Sequence, residues 1–101
     1  MTTNPLFEHA RARFDHESAR KLLREKYEAK MLFAYGQGMW RAGPDLLVLL
    51  SACTDAQPVI LDLYGAPIHV DRDELKQLAM TRWQEQMTAW LLEYNDLQTQ
   101  R

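Results

Sequence analysis

The stretch Val59–Leu97, VILDLYGAPIHVDRDELKQLAMTRWQEQMTAWLLEYNDL, decides the fold. Its opening alternates: on an extended chain Val59, Leu61 and Leu63 point one way and Ile60, Asp62 and Tyr64 the other. Tyr64-Gly65-Ala66-Pro67 has turn composition and Ile68-His69-Val70 resumes the alternation, so the segment predicts strand, turn, strand. Asp71 and Glu74 follow at capping-box spacing, where each carboxylate can accept from a backbone N–H left free in a helix's first turn. Beyond the cap, Met80, Trp83, Met87, Trp90, Tyr94 and Leu97 recur at alternating steps of three and four. That spacing predicts a long amphipathic helix.

Upstream of the hairpin, Pro44 suits the first position of a short helix from Asp45 to about Ala52, because its missing N–H has no partner there anyway. The run Leu46–Leu50 makes that helix apolar on nearly every side, and predicts the most buried element of the chain. Asp15 to Tyr35 predicts a further long helix, with Ala19, Leu22, Leu23, Tyr27, Met31 and Ala34 on one face. Gly36-Gln37-Gly38 reads as its C-terminal stop, since glycine accepts the left-handed backbone of a C-cap. Trp40 then falls in a loop between Gly38 and Gly43. Residues 1–14 read as an N-terminal arm or short helix in which Leu6, Phe7 and Phe14 can dock. The expectation is one α+β domain over residues 15–101, preceded by the arm. It has two long antiparallel helices, a short buried helix and a two-stranded antiparallel β-hairpin.

Composition bounds the function. A chain of 101 residues with 47% hydrophobic and 26% charged content supports one modest core. The net charge of −2 divides unevenly, at +3 over residues 1–42 and −5 over 43–101. Basic residues of the first helix alternate with Glu25 and Glu28, so they predict a surface facing the acidic last helix, within a subunit or between copies, and no basic arm. Cys53 is the only cysteine, which excludes an intrachain disulfide and a cysteine-rich metal site. The longest apolar stretch, Leu46–Leu50, falls far short of the roughly 20 residues that cross a bilayer, and no signal-peptide pattern opens the chain. A protein that is intracellular, or is assembled inside a cell before release, and has no membrane partner is expected.

Catalytic patterns are lacking. The chain has no phosphate loop, dinucleotide-binding glycine motif, zinc-protease pair, nucleophile elbow or C-x-x-C. His9 and His16 sit two helical turns apart, too far to share a metal directly. His69 can approach Asp62 across the hairpin, and a cross-strand surface pair explains it without a metal. Capping and dipole compensation account for Asp71, Asp73 and Glu74. No cofactor is expected, and the acidic surroundings of the tryptophans exclude a nucleic-acid stacking platform.

The aromatic set is the candidate site. Trp, Tyr and Met are enriched at the centres of protein interfaces. A helix of this length also outruns the core of a 101-residue domain. Trp83, Met87, Trp90, Tyr94 and Leu97 are therefore candidate interface residues, with Trp40 as a separate anchor. The competing reading puts them in the chain's own core.

The order of features also resembles a known class. A charged helix ESARKLLREKYEAKMLFAYGQGMW leads through an apolar helix to VILDLYGAPIHVD and a terminal helix with a W-x-x-E-Y-like end. From Glu17 to Leu97 this resembles small virion or assembly proteins of contractile-tailed bacteriophages. The resemblance implies a non-enzymatic protein made in the host cytoplasm or carried in the virion, binding copies of itself or other virion proteins. The alternative is a small phage-encoded inhibitor of a host enzyme or defence complex, whose signs would be a stable monomer or dimer and one contiguous acidic surface around Asp62, Asp71, Asp73 and Glu74.

Overall fold

The computed structural model describes residues 5–99, and their side chains from Asp15 onward. It is an α+β chain of three helices and two separate two-stranded antiparallel sheets. In order these are α1 (Pro5–Lys30), β1 (Leu32–Tyr35), β2 (Gly38–Arg41), α2 (Pro44–Ala52), β3 (Val59–Leu61), β4 (Pro67–His69) and α3 (Arg72–Thr99). The helix expected from Asp15 starts at Pro5, so residues 5–14 continue it; the docking expected of Leu6, Phe7 and Phe14 lies outside the described side chains.

The first correction lies at the other end of α1. The helix expected to reach Tyr35 stops at Lys30, where the Met31 N–H is shared between the carbonyls of Tyr27 and Glu28. The next residues form a hairpin, with Phe33 opposite Trp40 and Tyr35 opposite Gly38. Gly36 and Gln37 are its two turn residues. Gly36 has φ +59° and no described non-glycine residue has positive φ, which matches the turn that places glycine first and suits the twist of paired strands. Phe33 and Trp40 are both buried, so the hairpin is core rather than surface decoration. The Ala42 N–H donates to the Met31 carbonyl at 2.8 Å and ties the end of β2 back to the end of α1.

The second hairpin is where the sequence places it, with shorter strands. Val59 pairs His69, Ile60 pairs Ile68 and Leu61 pairs Pro67. Asp62 belongs to the turn, not to the strand. Its two oxygens accept from Tyr64 N–H at 3.0 Å, Ala66 N–H at 2.9 Å and Met39 N–H at 3.2 Å. With the Leu63 N–H donating to the Met39 carbonyl at 2.8 Å, the turn is bonded to β2 of the first hairpin. Gly38 lies under this joint: a Cβ there would sit 2.6 Å from Ile68 Cδ1 and 3.1 Å from Asp62 Cβ.

α1 and α3 pack antiparallel. Lys30 lies near Arg82, Tyr27 meets Trp90, and Ala19 and Leu23 reach Leu97. Beyond the end of α1, the same side of α3 meets the hairpins and α2 through Leu75 and Ala79, both fully buried. α2 buries Leu50 completely, yet Val48 is 68% and Leu49 44% exposed. It is thus not the most buried element, because α3 and the hairpins cover only one side of it. The chain is long, 68 × 24 × 20 Å with a radius of gyration of 19.4 Å. A compact domain of this length would have about 13 Å.

Candidate protein-interaction site

The expected interface residues do not share one environment. Trp40, expected in a loop, stands on β2 at 2% exposure, its Nε1–H donating to the Tyr35 carbonyl at 3.0 Å. The core uses it, so it offers little surface of its own. Trp83 is half-buried against that same core. Trp90 is half-buried in the helix seam, its ring stacked on Tyr27 with centroids 5.8 Å apart and planes within 6°. Leu97 is half-buried beside Ala19 and Leu23 of α1. Met87 and Tyr94 are each 36% exposed on the flank of α3. The three-and-four spacing mixed the residues that zip α3 to α1 with those that face outward.

Four of the expected residues nonetheless meet at one place. Trp40, Trp83, Met87 and Trp90 line an open groove of about 540 Å³ between the helix pair and the base of the hairpins. Leu61, which is 64% exposed, forms part of the opposite wall. Glu28, Arg41, Asp45 and Asp62 contribute polar lining. An apolar floor with charges of both signs around it suits a protruding apolar side chain from another protein, oriented by polar contacts. Sequence reasoning missed Leu61, because strand alternation assigns it a face but not its neighbours. It also missed Leu91, 57% exposed, and Met80, 38% exposed, as outward residues of α3.

The electrostatics of the helix seam are local. Glu93 Oε1 accepts from Lys26 Nζ and from the Tyr27 hydroxyl, both at 2.7 Å. The Lys26 bond, then the Tyr27 bond, hold the Glu93 carboxyl below its ordinary value. In return the same carboxylate raises the Lys26 ammonium and the Tyr27 hydroxyl above theirs. Lys26 and Lys30 place their ammonium groups 5.3 and 5.2 Å from the centroid of the Tyr27 ring, and the Arg20 guanidinium sits 5.7 Å from that of Tyr94. The basic first helix facing the acidic last one is thus realised within the subunit.

The four carboxylates expected to mark an acidic docking surface have partners within the chain, while Asp71, Asp73 and Glu74 remain exposed. Asp62 is held by backbone N–H groups, that of Ala66 foremost, which push its carboxyl down. Asp71 Oδ1 caps α3 by accepting from the Glu74 N–H at 3.0 Å, as its spacing predicts. Asp73 pairs with Arg72 at 3.0 Å, and that bond lowers its carboxyl. Glu74 borders the Tyr35 hydroxyl, which burial first and Glu74 second push up. His69 does not approach Asp62; its Nδ1 lies 3.1 Å from the Gln57 carbonyl. Among the described residues no three His, Cys, Asp or Glu side chains cluster so as to hold a metal ion, and no helix is long and apolar enough to cross a membrane.

No protein-family model matches this sequence, and no curated protein or solved structure matches it either.

Proposed function

We propose that this chain works without catalysis, by binding protein subunits, as a small structural or assembly protein of a tailed bacteriophage, in the virion or in the host cytoplasm. The observation that carries the reading is the groove floored by Trp83, Met87 and Trp90. A partner side chain entering it displaces water from aromatic and thioether surface, and each large side chain so covered contributes roughly 1.5–3 kcal/mol when buried in full. Arg41, Glu28 and Asp45 beside the groove would fix the orientation of the partner. The phage assignment rests on the resemblance in the order of features. The alternative, a small phage-encoded inhibitor of a host enzyme or defence complex, would dock through Asp71, Asp73 and Glu74, which stay exposed although Asp62, Asp71 and Asp73 accept hydrogen bonds within the chain.

The test is quantitative mass spectrometry of purified particles, and of assembly intermediates, from cells that produce this protein. A fixed copy number per particle or per intermediate is the expected result. Complete absence from both overturns the assembly role.

A further inference from the structure

One flank of α3 is left largely uncovered by the fold. Met80, Gln84, Met87, Leu91, Tyr94 and Gln98 follow each other at steps of four, three, four, three and four. At about 100° per residue these steps draw one line along the helix. Most of the line is turned away from α1, which contacts α3 through Trp90, Glu93 and Leu97; at its edge the Tyr94 ring meets the Arg20 guanidinium of α1, 5.7 Å from its centroid. Met80, Met87 and Tyr94 are 36–38% exposed on it and Leu91 57%. It carries no charge. The charged residues of this stretch, Arg82, Glu85, Glu93 and Asp96, all project from the other side of the helix. Helix surfaces that stay in water intersperse charges of both signs, whereas the centres of interfaces shed them.

We propose that this flank pairs with the same flank of a second copy of the chain, α3 against α3 and antiparallel, about a two-fold axis level with Ala89. The proposal rests on reading α3 as a binding surface and names what binds it. Three observations select a second copy. The first is the spacing, which is symmetric about Ala89. Met87 of one copy meets Leu91 of the other, Met80 meets Gln98, and Gln84 meets Tyr94. The last pair brings an amide to a phenol hydroxyl, two groups that can hydrogen-bond to each other. A parallel pair would stack Gln84 on Gln84.

The second observation is area. The chain exposes 7608 Å². A compact monomer of its 11.8 kDa exposes about 5,900 Å², an excess of about 1,700 Å². Stable interfaces cover about 800 Å² per partner, and obligate ones more. The excess belongs to the whole elongated chain, and it is large enough to accommodate an interface of that size. The third is charge: a partner with a charged docking face would bury that charge unpaired against this flank. The chain's own flank brings none.

Sedimentation equilibrium across a concentration series, on wild type and Leu91→Glu, tests the pairing. The expected wild-type mass is twice 11.8 kDa. Leu91→Glu should raise the dissociation constant at least about 100-fold with helix content unchanged, since the glutamate would enter the seam without a counter-charge. The arrangement is tested separately by cysteine pairs in a Cys53→Ser background, which needs no destabilising change. Gln84→Cys should crosslink to Tyr94→Cys when the two are mixed. Neither should crosslink to itself, because equal positions would stand about 15 Å apart along the seam. Self-crosslinking of Tyr94→Cys, or a wild type that stays at the monomer mass at every concentration, overturns the proposal. A monomer found in particles at fixed copy number sinks only the second copy. A dimer absent from particles and intermediates sinks the assembly role and leaves the pairing standing.

Discussion

Glu93 of α3 and Tyr27 of α1 meet across the helix seam, the phenol donating to the carboxylate at 2.7 Å while Lys26 donates to the same oxygen. Tyr27 is 1% exposed, so its hydroxyl has few other partners to choose from. The bond therefore sets the rotation of the two helices about each other as well as contributing to their attraction.

That contribution has a defined pH window. The folded Glu93 carboxyl lies below its ordinary value, so its stabilisation is whole above the ordinary carboxylate range and is lost as pH falls through the depressed folded value. Thermal melts of wild type and Glu93→Gln from neutral to strongly acid pH should show a gap at neutral pH that closes in acid. Parallel curves over the whole range would remove Glu93 from the stability of the seam. The ion pair is partly solvated, with 46% and 41% of the two side chains exposed, so the neutral-pH gap should also narrow in molar salt.

Trp90→Ala should destabilise the monomer. The ring is half-buried and stacked on Tyr27, so its loss opens the seam and costs about 1.5–3 kcal/mol in urea unfolding, with Trp90→Phe recovering much of it. Leu91→Glu, one residue on and 57% exposed, should leave the unfolding free energy of the monomer within about 0.5 kcal/mol. Equal losses for both, measured at concentrations where wild type and variants are all monomeric, would place Leu91 in the core.

Gly38→Ala tests the close approach of the hairpins. The new methyl would sit 2.6 Å from Ile68 Cδ1 and 3.1 Å from Trp40 Cζ2, and overpacking of this kind costs about 1–3 kcal/mol. Ile68→Val removes the nearest atom, so the double variant should be more stable than Gly38→Ala alone. Gly36→Ala should destabilise for a different reason. Nothing lies within 4 Å of its added methyl, but φ is +59°, and Ile68→Val should not rescue it.

These two glycines also show why part of the fold is hard to read from the chain. Tyr27, Met31 and Ala34 keep helical spacing up to the turn, so Leu32-Phe33-Ala34-Tyr35 passes for the last turn of a helix. A helix stop and a hairpin turn both call for glycine at Gly36, and only the partner strand tells them apart. The second hairpin was legible because its alternation is flanked by turn residues on one side and a helix cap on the other. α3 was legible in existence and length, but not in which way it faces. Two interleaved lines of apolar residues run along it, and a single spacing rule merges them. α2 was legible as a helix and misread as buried, since an all-round apolar helix can be covered only as far as its neighbours reach. The groove could not be foreseen, because Leu61 and Trp83 come together only through the joint between Asp62 and β2.

That joint carries the last prediction. Asp62 Oδ1 serves its own turn, through Tyr64 and Ala66, while Oδ2 serves the other hairpin through Met39. In Asp62→Asn the single amide oxygen can keep the turn, but the NH₂ group then faces the Met39 N–H, donor against donor. Amide exchange followed by NMR should show Met39 exchanging faster than in wild type, with Tyr64 and Ala66 close to unchanged. Asp62→Ala should expose all three. Since the Asp62 carboxyl is also held below its ordinary value, the wild-type Met39 amide should lose protection as pH falls through that depressed value, after correction for the intrinsic exchange rate. A Met39 amide equally protected in wild type and Asp62→Asn would show that the hairpins dock by packing around Gly38 alone, and that the wall of the groove formed by Leu61 does not depend on this carboxylate.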